Sequence, residues 1–206
     1  MINKTEILKT VFTEDLLSDI QSSIEQHIKT LSEDQVVRAG HGDYYSVGQE
    51  ATDLITARLP LLPGEVCDVH LLRHTQVTGP HTDTNIPDDD ICSDPNRFAR
   101  TMIIPLKTQD TYTITFNQHM ALGTRGNKMI EFVQDLSVIN QISNEELETY
   151  FSSSKDQYWV EKLSVETAFP WIAGDVLVFD RRRIHTGDDH LDKLEKEGIV
   201  IWTNIL

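Results

Sequence analysis

Two short stretches of the chain carry side chains that could bind a metal ion. The first contains His81 and Asp83, which are separated by one residue, and the second contains His185, which follows an apolar segment. Two histidines and one carboxylate form the facial triad that holds non-heme Fe(II) with open coordination positions. The same ligand set also suits zinc. The sequence therefore predicts a site in which His81, Asp83 and His185 are the metal ligands and the catalytic residues.

The His-x-Asp spacing occurs three times, so its context must select the pair that binds metal. His41 and Asp43 lie among glycines in the N-terminal part, where we expect a flexible loop. His190 and Asp192 follow His185, the distal histidine of the predicted site, in a charged segment. Such a segment is typical of solvated surface. Only His81 and Asp83 follow one predicted strand and precede two more. They are therefore the predicted metal-binding pair.

Several predicted strands must position these ligands. Residues 176–179 read Val-Leu-Val-Phe, which indicates a strand buried on both faces that leads to the distal histidine. The other strands are expected at about residues 66–77, 101–106, 112–116 and 199–202. Short strands separated by turns, with no helix between them, favour antiparallel sheets that close into a barrel or jelly roll.

Helical patterns occur outside these strands. Apolar residues recur every three or four positions over residues 13–32, and a second helix is expected at about 47–58. A capping box at residues 143–146 opens a short helix. We interpret residues 117–168 as an insertion between sheet strands, from which a lid could come. The sequence thus predicts one domain over residues 1–206, with a helical part at 1–63 and a β-rich core at 64–206.

The bulk composition restricts the partners. The formal charge of −15 disfavours nucleic acid and anionic membrane surfaces. Two cysteines are too few for a disulfide framework, which fits a reducing compartment. The N-terminus lacks the apolar core of a signal peptide, and no apolar run approaches the roughly 20 residues of a membrane span. We therefore expect a cytoplasmic protein without a membrane partner.

The order of the motifs resembles a known family. His81-x-Asp83, Gly174-Asp175 before an apolar strand, and His185-Thr186-Gly187 resemble the Fe(II)/2-oxoglutarate-dependent dioxygenases, especially their prolyl-hydroxylase-like branch. The resemblance extends from about residue 66 to the C-terminus. It implies a mainly β fold with flanking helices (α+β), built on a double-stranded β-helix, the jelly-roll or cupin-like core. It also implies Fe(II), 2-oxoglutarate and O₂, and hydroxylation of a C–H bond in a peptide side chain or small molecule.

The resemblance further implies a cation for the distal carboxylate of 2-oxoglutarate, because a buried carboxylate without a partner is costly. The family places this cation about ten residues after the distal histidine. Lys196 lies 11 positions after His185 and matches best, while Lys193 matches less well. Arg100, which begins another predicted strand, is the second choice. Thr101 could donate its hydroxyl to an oxygen of the co-substrate.

Alternatives remain open at this point. The same barrel could be a cupin-like metal-binding protein, and the same ligands could form a zinc site without 2-oxoglutarate chemistry. A buried cation near position 196 would separate an oxygenase from the cupin-like protein, and anaerobic addition of Fe(II) and 2-oxoglutarate would separate it from the zinc site. A non-catalytic interaction domain is a third alternative. His70 and His74 are rival ligands without a carboxylate to complete a triad.

Two charged runs have a second interpretation each. The aspartates at residues 88–90 could attract a cationic substrate, although a solvated loop is the more ordinary interpretation. The arginines at residues 181–183 could hold an anionic substrate near the metal. They could equally pair with Asp180 and Asp188.

Overall fold

The computed structural model describes residues 4–39, 42–74, 79–83, 99–120, 132–133, 143–151, 160, 163–188 and 196–205. Three α-helices occur in this part of the chain: α1 (Glu14–Ile28), α2 (Gln49–Thr56) and α3 (Asn144–Phe151). All three confirm helices predicted from the sequence. Thr13 caps α1 by accepting the backbone N–H of Leu16 on its side chain. None of these described helices has the length and apolar character needed to cross a membrane.

The described strands number eleven and are mostly short. They are β1 (Glu6–Leu8), β2 (Val36–Ala39), β3 (Gly42–Ser46), β4 (Glu65–His74), β5 (Arg100–Pro105), β6 (Tyr112–Met120), β7 (Phe132–Val133), β8 (Val165–Pro170), β9 (Val176–Asp180), β10 (Arg183–Gly187) and β11 (Lys196–Ile205).

These strands form two sheets. The larger has the order β1-β9-β5-β11-β4-β3-β2, and the smaller has β6 paired with β10, β7 and β8. Every pairing between described strands is antiparallel. The architecture is the double-stranded β-helix with flanking helices, as the sequence predicted.

The two faces of the large sheet have different tasks. Its outer face packs against α1 and α2 through a cluster that includes Ile20, Ile24, Leu71, Ile104 and Ile201. Burying these apolar side chains drives the helices onto the sheet. Strand β9 is buried at all five positions, which confirms the strand predicted from its unbroken apolar sequence. The inner face is left to line a pocket between the two sheets.

The N-terminal part contains more than helices. The prediction of a helical part at residues 1–63 missed β1, β2 and β3, of which β1 pairs with β9 and β3 with β4. Asp43 lies in β3 and not in the loop expected for it, because β3 pairs with β4 along its full length. The single-domain boundary and the insertion at 117–168 remain predictions. Most of that insertion lies outside the described residues, although α3 at its centre packs Phe151 on Phe116 of β6.

Candidate metal centre

Backbone hydrogen bonds join the two stretches that carry the candidate ligands. The His81 amide donates to the His185 carbonyl at 3.0 Å, and the His185 amide donates to the His81 carbonyl at 2.9 Å. The Asp83 amide donates to the carbonyl of Arg181 at 3.0 Å. The segment at residues 81–83 therefore lies along the start of β10 as a short extra strand. This pairing brings together residues that are about a hundred positions apart in the sequence.

The three side chains converge on one point. Each of His81, Asp83 and His185 offers a ligand atom, and these atoms all lie within 4.8 Å of one another. His81 Nε2 is 4.0 Å from Asp83 Oδ1, and His185 Nε2 is 3.7 Å from Asp83 Oδ2. These separations are too long for direct hydrogen bonds. They leave space for a cation that all three atoms could share.

Hydrogen bonds to the other ring nitrogens fix the tautomers of both histidines. His81 Nδ1 is 2.7 Å from the Gly79 carbonyl, and His185 Nδ1 is 3.2 Å from the Arg183 carbonyl. A carbonyl oxygen can only accept, so each Nδ1 must carry the hydrogen. Each Nε2 then presents its lone pair to the site, as a metal ligand requires. The donor set therefore fits a divalent metal.

Burial and electrostatics keep two of the candidate ligands in the protonation states that a metal needs. Burial, together with the neighbouring His185, lowers the pKa of His81 to about 4, so His81 is neutral at pH 7. Burial alone would raise the pKa of Asp83. The nearby His185 and His81, with a hydrogen bond from Thr101 and the charge of Arg181, outweigh burial and hold the pKa of Asp83 below its ordinary value. Neutral imidazoles and a carboxylate are the forms that bind a metal.

Two further residues hold Asp83 in place. The Thr101 hydroxyl donates to Asp83 Oδ2 at 2.5 Å, so its proton is used on a candidate ligand and not on the co-substrate oxygen that the sequence suggested. Arg181 is only 1% exposed, and its Nε and Nη2 donate to the Asp83 carbonyl at 3.1 and 2.7 Å. Contacts of this kind orient metal ligands from outside the coordination shell.

Lys196 lies in the same pocket as the three candidate ligands. It begins β11, is 3% exposed, and donates from Nζ to the Tyr112 carbonyl at 2.8 Å. Its Nζ is also 4.2 Å from the centre of the Trp171 ring. Burial lowers the pKa of Lys196 to about 7, although the charge of Asp188 partly opposes this shift. The sequence left the direction of this side chain open, and in the structure it points into the pocket.

The other candidate cations lie elsewhere. Arg100 binds both carboxylate oxygens of Glu65 and donates to the Pro60 carbonyl, and it is not among the residues that line the pocket. Lys193 lies outside the described residues. In the part of the chain that the structure describes, Lys196 is thus the only lysine or arginine that lines this pocket.

The arginine run has a structural task. Arg182 pairs with Asp180 at 2.8 Å, and Arg183 pairs with Glu166 at 3.0 Å. These contacts agree with the interpretation of the run as partners of acidic neighbours. The aspartates at residues 88–90 and the pair at 190 and 192 lie outside the described residues.

The rival histidines do not join the metal-binding group. His70 Nε2 is 2.7 Å from Asp68 Oδ1, and its ring packs against Trp202. His74 lines the pocket but is not part of the group of candidate ligands. Within the described residues, His81, Asp83 and His185 form the one such group.

Sequence reasoning missed several residues of the pocket wall. Tyr44, Thr113, Trp171 and Trp202 all line it, on three different strands and the turn after β8. Side chains alternate between the two faces of a strand, so Trp202, six positions after Lys196 in β11, could have been placed on the same face as that lysine. Tyr44, in contrast, lies in a part predicted to be helical. Burial raises the pKa of Tyr44, and the nearby Asp83 carboxylate adds to this shift. The Tyr44 hydroxyl therefore stays protonated and can donate a hydrogen bond.

No protein-family model matches this chain, and no curated protein matches it by sequence. Solved structures, in contrast, share its fold. The epimerase SnoN in complex with Fe³⁺, alpha-ketoglutarate and nogalamycin RO superposes with a TM-score of 0.60 at 13% identity, covering 98% of this chain and 79% of SnoN. EctD from S. alaskensis with 2-oxoglutarate and 5-hydroxyectoine gives a TM-score of 0.60 at 13% identity, covering 98% and 72%.

A Pseudomonas putida prolyl-4-hydroxylase has a TM-score of 0.52 at 12% identity, with 98% of this chain and 92% of that chain covered. These structural relatives are Fe(II)/2-oxoglutarate-dependent oxygenases. They confirm the fold that the resemblance implied. At these identities, the likeness establishes the fold and leaves the chemistry to be argued from the site.

Proposed function

We propose that this chain is a non-heme Fe(II)- and 2-oxoglutarate-dependent dioxygenase. It would couple oxidative decarboxylation of 2-oxoglutarate to hydroxylation of a C–H bond in a small molecule or a peptide side chain. The observation that carries the proposal is the position of Lys196. A buried cation lines the same pocket as a His₂-carboxylate group, and this combination suits a metal-bound dicarboxylate.

The residues divide the work between metal and co-substrate. Nε2 of His81, Nε2 of His185 and the Asp83 carboxylate would hold Fe(II). When bound, Fe(II) with 2-oxoglutarate and O₂ supplies the redox chemistry, in which one oxygen atom enters succinate, the other enters the hydroxyl group, and CO₂ is released. Lys196 would bind the distal carboxylate of 2-oxoglutarate. Thr101 and Arg181 would keep Asp83 in position throughout.

The pocket wall would keep water from the reacting centre. Leu72, Ile103 and Val200 present apolar side chains, and Trp171 and Trp202 add aromatic surface. Excluding water strengthens the interaction of Lys196 with a carboxylate and limits side reactions of the oxidant. The SnoN complex contains nogalamycin RO and the EctD complex contains 5-hydroxyectoine, so small molecules stand beside peptides as candidate substrates.

Lys196 separates this proposal from its alternatives. A cupin-like metal-binding protein or a simple zinc site has no need for a buried ammonium in the pocket. Burying a lysine is unfavourable without a compensating ligand, and its pKa of about 7 reflects that cost. A carboxylate from a ligand would offset it.

Succinate formation tests the proposed function. The protein is mixed anaerobically with Fe(II) and 2-oxoglutarate, exposed to O₂, and assayed for succinate and CO₂ in the presence and absence of candidate substrates. We expect succinate in proportion to the 2-oxoglutarate consumed, and none above background from Asp83→Ala. Two results would contradict the proposal. One is equal succinate formation by Asp83→Ala and the native protein; the other is no succinate from the native protein, either in slow turnover without substrate or with every substrate tried.

A further inference from the structure

The Lys196 ammonium lines the pocket next to Gly187 of β10. His185 and Gly187 lie two residues apart in a regular stretch of β10, so they share a face and are separated by about 6.6 Å at ~3.3 Å per residue. Lys196 Nζ is 3.8 Å from the position that a Cβ on Gly187 would occupy. The ammonium therefore lies beside the residue that is one two-residue step beyond the candidate ligand His185. A step of this length is comparable to the span of a five-carbon dicarboxylate.

The face of the Trp171 ring lies against the ammonium. The ring centre is 4.2 Å from Lys196 Nζ, a distance at which the face of an indole attracts a cation. Lys196 also donates to the Tyr112 carbonyl, so two of its contacts are made by the protein itself. These contacts fix the ammonium at one depth in the pocket.

The Trp171 ring is held rigidly. It is 3% exposed and packs with Phe169, Leu177 and Phe179, and its Nε1 donates to Thr113 Oγ1 at 2.9 Å. The ring also rests directly on Gly198, where an added Cβ would lie 2.9 Å from Cη2 of the indole. Close packing of this kind resists displacement, since interiors tolerate even one additional methylene poorly.

We propose that Trp171 determines the chain length of the oxo acid that this pocket accepts, by holding the Lys196 ammonium at a fixed distance from the metal-binding group. A five-carbon oxo dicarboxylate reaches the ammonium without strain. A six-carbon homologue must displace either the ammonium or the indole ring. This inference rests on the proposed function, because it assumes that an oxo acid spans the pocket.

Binding of two oxo acids tests the inference without turnover. Protein loaded with Ni(II) is titrated with 2-oxoglutarate and with 2-oxoadipate, its six-carbon homologue, by isothermal calorimetry. We expect the native protein to bind 2-oxoglutarate at least tenfold more tightly. Trp171→Leu removes the wall and the aromatic face, so we expect weaker binding of 2-oxoglutarate and a loss of this preference. Trp171→Phe keeps an aromatic face and should retain part of the preference for 2-oxoglutarate over 2-oxoadipate.

Two further variants complete the design. Gly198→Ala adds a methyl group against the Trp171 ring without removing the indole, so both acids should bind more weakly while the preference persists. Ile172→Ala changes the exposed neighbour of Trp171 and should match the native protein. Folding of each variant is checked by thermal unfolding. If Trp171→Leu does not fold, the ratio for Trp171→Phe decides.

The outcomes separate the inference from the function on which it rests. If the native protein with Ni(II) binds neither acid, the proposed function fails. If it binds 2-oxoglutarate but Trp171→Leu keeps the native ratio of affinities, the role of Trp171 is wrong while the proposed function stands. If Trp171→Leu does not fold, a native ratio of the two affinities in Trp171→Phe contradicts the inference. If Trp171→Leu folds, its own ratio decides.

Discussion

At the scale of single residues, the pocket combines a carboxylate, Asp83, with a buried lysine, Lys196, and burial affects the two in different ways. Asp83 is held as a carboxylate by neighbouring donors and charges, while burial lowers the pKa of Lys196 to about 7. The two groups are therefore prepared for different partners. The carboxylate is ready for a metal at neutral pH, whereas the lysine gains its full charge when an anion arrives.

This difference predicts a pH dependence for binding of 2-oxoglutarate. Free Lys196 loses its proton above pH 7, whereas a bound carboxylate favours the ammonium and raises its pKa. Binding above pH 7 must therefore take up a proton, and the affinity should fall as pH rises, by up to about tenfold per pH unit. Well below pH 7, where the free lysine is already protonated, this residue contributes no pH dependence. Calorimetry of the Ni(II)-loaded protein from pH 6 to 9, in buffers of different ionisation enthalpy, measures both effects.

Lys196→Arg provides the matched control, because arginine stays charged throughout this range. The affinity of this variant for 2-oxoglutarate should not show the decrease between pH 7 and 9 that we expect for the native protein. A native affinity that is constant between pH 7 and 9, with no proton uptake, would refute this assignment of the anchoring cation.

At the scale of secondary structure, the turn between β9 and β10 helps to position the candidate metal ligands. Arg181 in this turn accepts the Asp83 amide on its carbonyl and returns two hydrogen bonds from its guanidinium to the Asp83 carbonyl. The turn thus holds the candidate ligand Asp83 by hydrogen bonds, while β10 carries the candidate ligand His185. Metal affinity should depend on these hydrogen bonds even though Arg181 would not contact the metal.

Arg181→Lys keeps the charge but cannot reproduce the two-pronged contact with the Asp83 carbonyl. We expect it to bind Mn(II) about tenfold more weakly, within the range of losses seen when the partners of metal ligands are removed. Titration of Mn(II) followed by electron paramagnetic resonance measures the affinity. Arg73→Lys, on the outer side of the large sheet, controls for the substitution type. Equal affinity in the native protein and Arg181→Lys would show that the contact does not matter for metal binding.

A second turn holds the N-terminal segment against β9. Gly174 has φ of +84°, and a Cβ at this position would lie 2.2 Å from the Phe12 carbonyl oxygen. The Gly174 carbonyl also accepts the amides of Val11 and Phe12. Only glycine can combine this backbone conformation with so close an approach.

Gly174→Ala should therefore destabilise the fold by about 2–4 kcal/mol in urea unfolding, from backbone strain and the steric clash together. Gly64→Ala separates these contributions. Gly64 has φ of +80° but no atom within 4 Å of its added Cβ, so its substitution should cost only about 1 kcal/mol. Equal losses in the two variants would mean that the contact with Phe12 is unimportant.

At the scale of the whole molecule, the sequence is most informative where a pattern repeats or where spacing is fixed by chemistry. The unbroken apolar run of β9 and the helical periodicity of α1 predicted their elements, and the order of histidine and aspartate motifs predicted which residues meet. Strand β1 has three residues, too few for any periodicity to show. β2 and β3 are also short; β3 forms along β4, and β2 in turn pairs with β3, so the longer strand β4 is needed to explain both.

The site residues show the same limit. His81, Asp83 and His185 were predictable because metal chemistry restricts their types and spacing. The contact between Arg181 and the Asp83 carbonyl joins a side chain to a backbone atom 98 positions away, and no residue pattern encodes it. Trp171 and Thr113 likewise meet only when β6 and β8 pair. The hydroxyl of Thr101 was predicted to donate to a co-substrate oxygen, and its hydrogen bond to Asp83 became visible only in three dimensions.

The central claim is that His81, Asp83 and His185 hold Fe(II) in one pocket with 2-oxoglutarate anchored by Lys196. Anaerobic titration of the protein with Fe(II) and 2-oxoglutarate, followed by visible absorption, tests it most directly. We predict a charge-transfer band that needs both components, saturates at one equivalent of Fe(II), and is absent from His185→Ala. Absence of the band in the native protein, or its persistence in His185→Ala, would contradict the account.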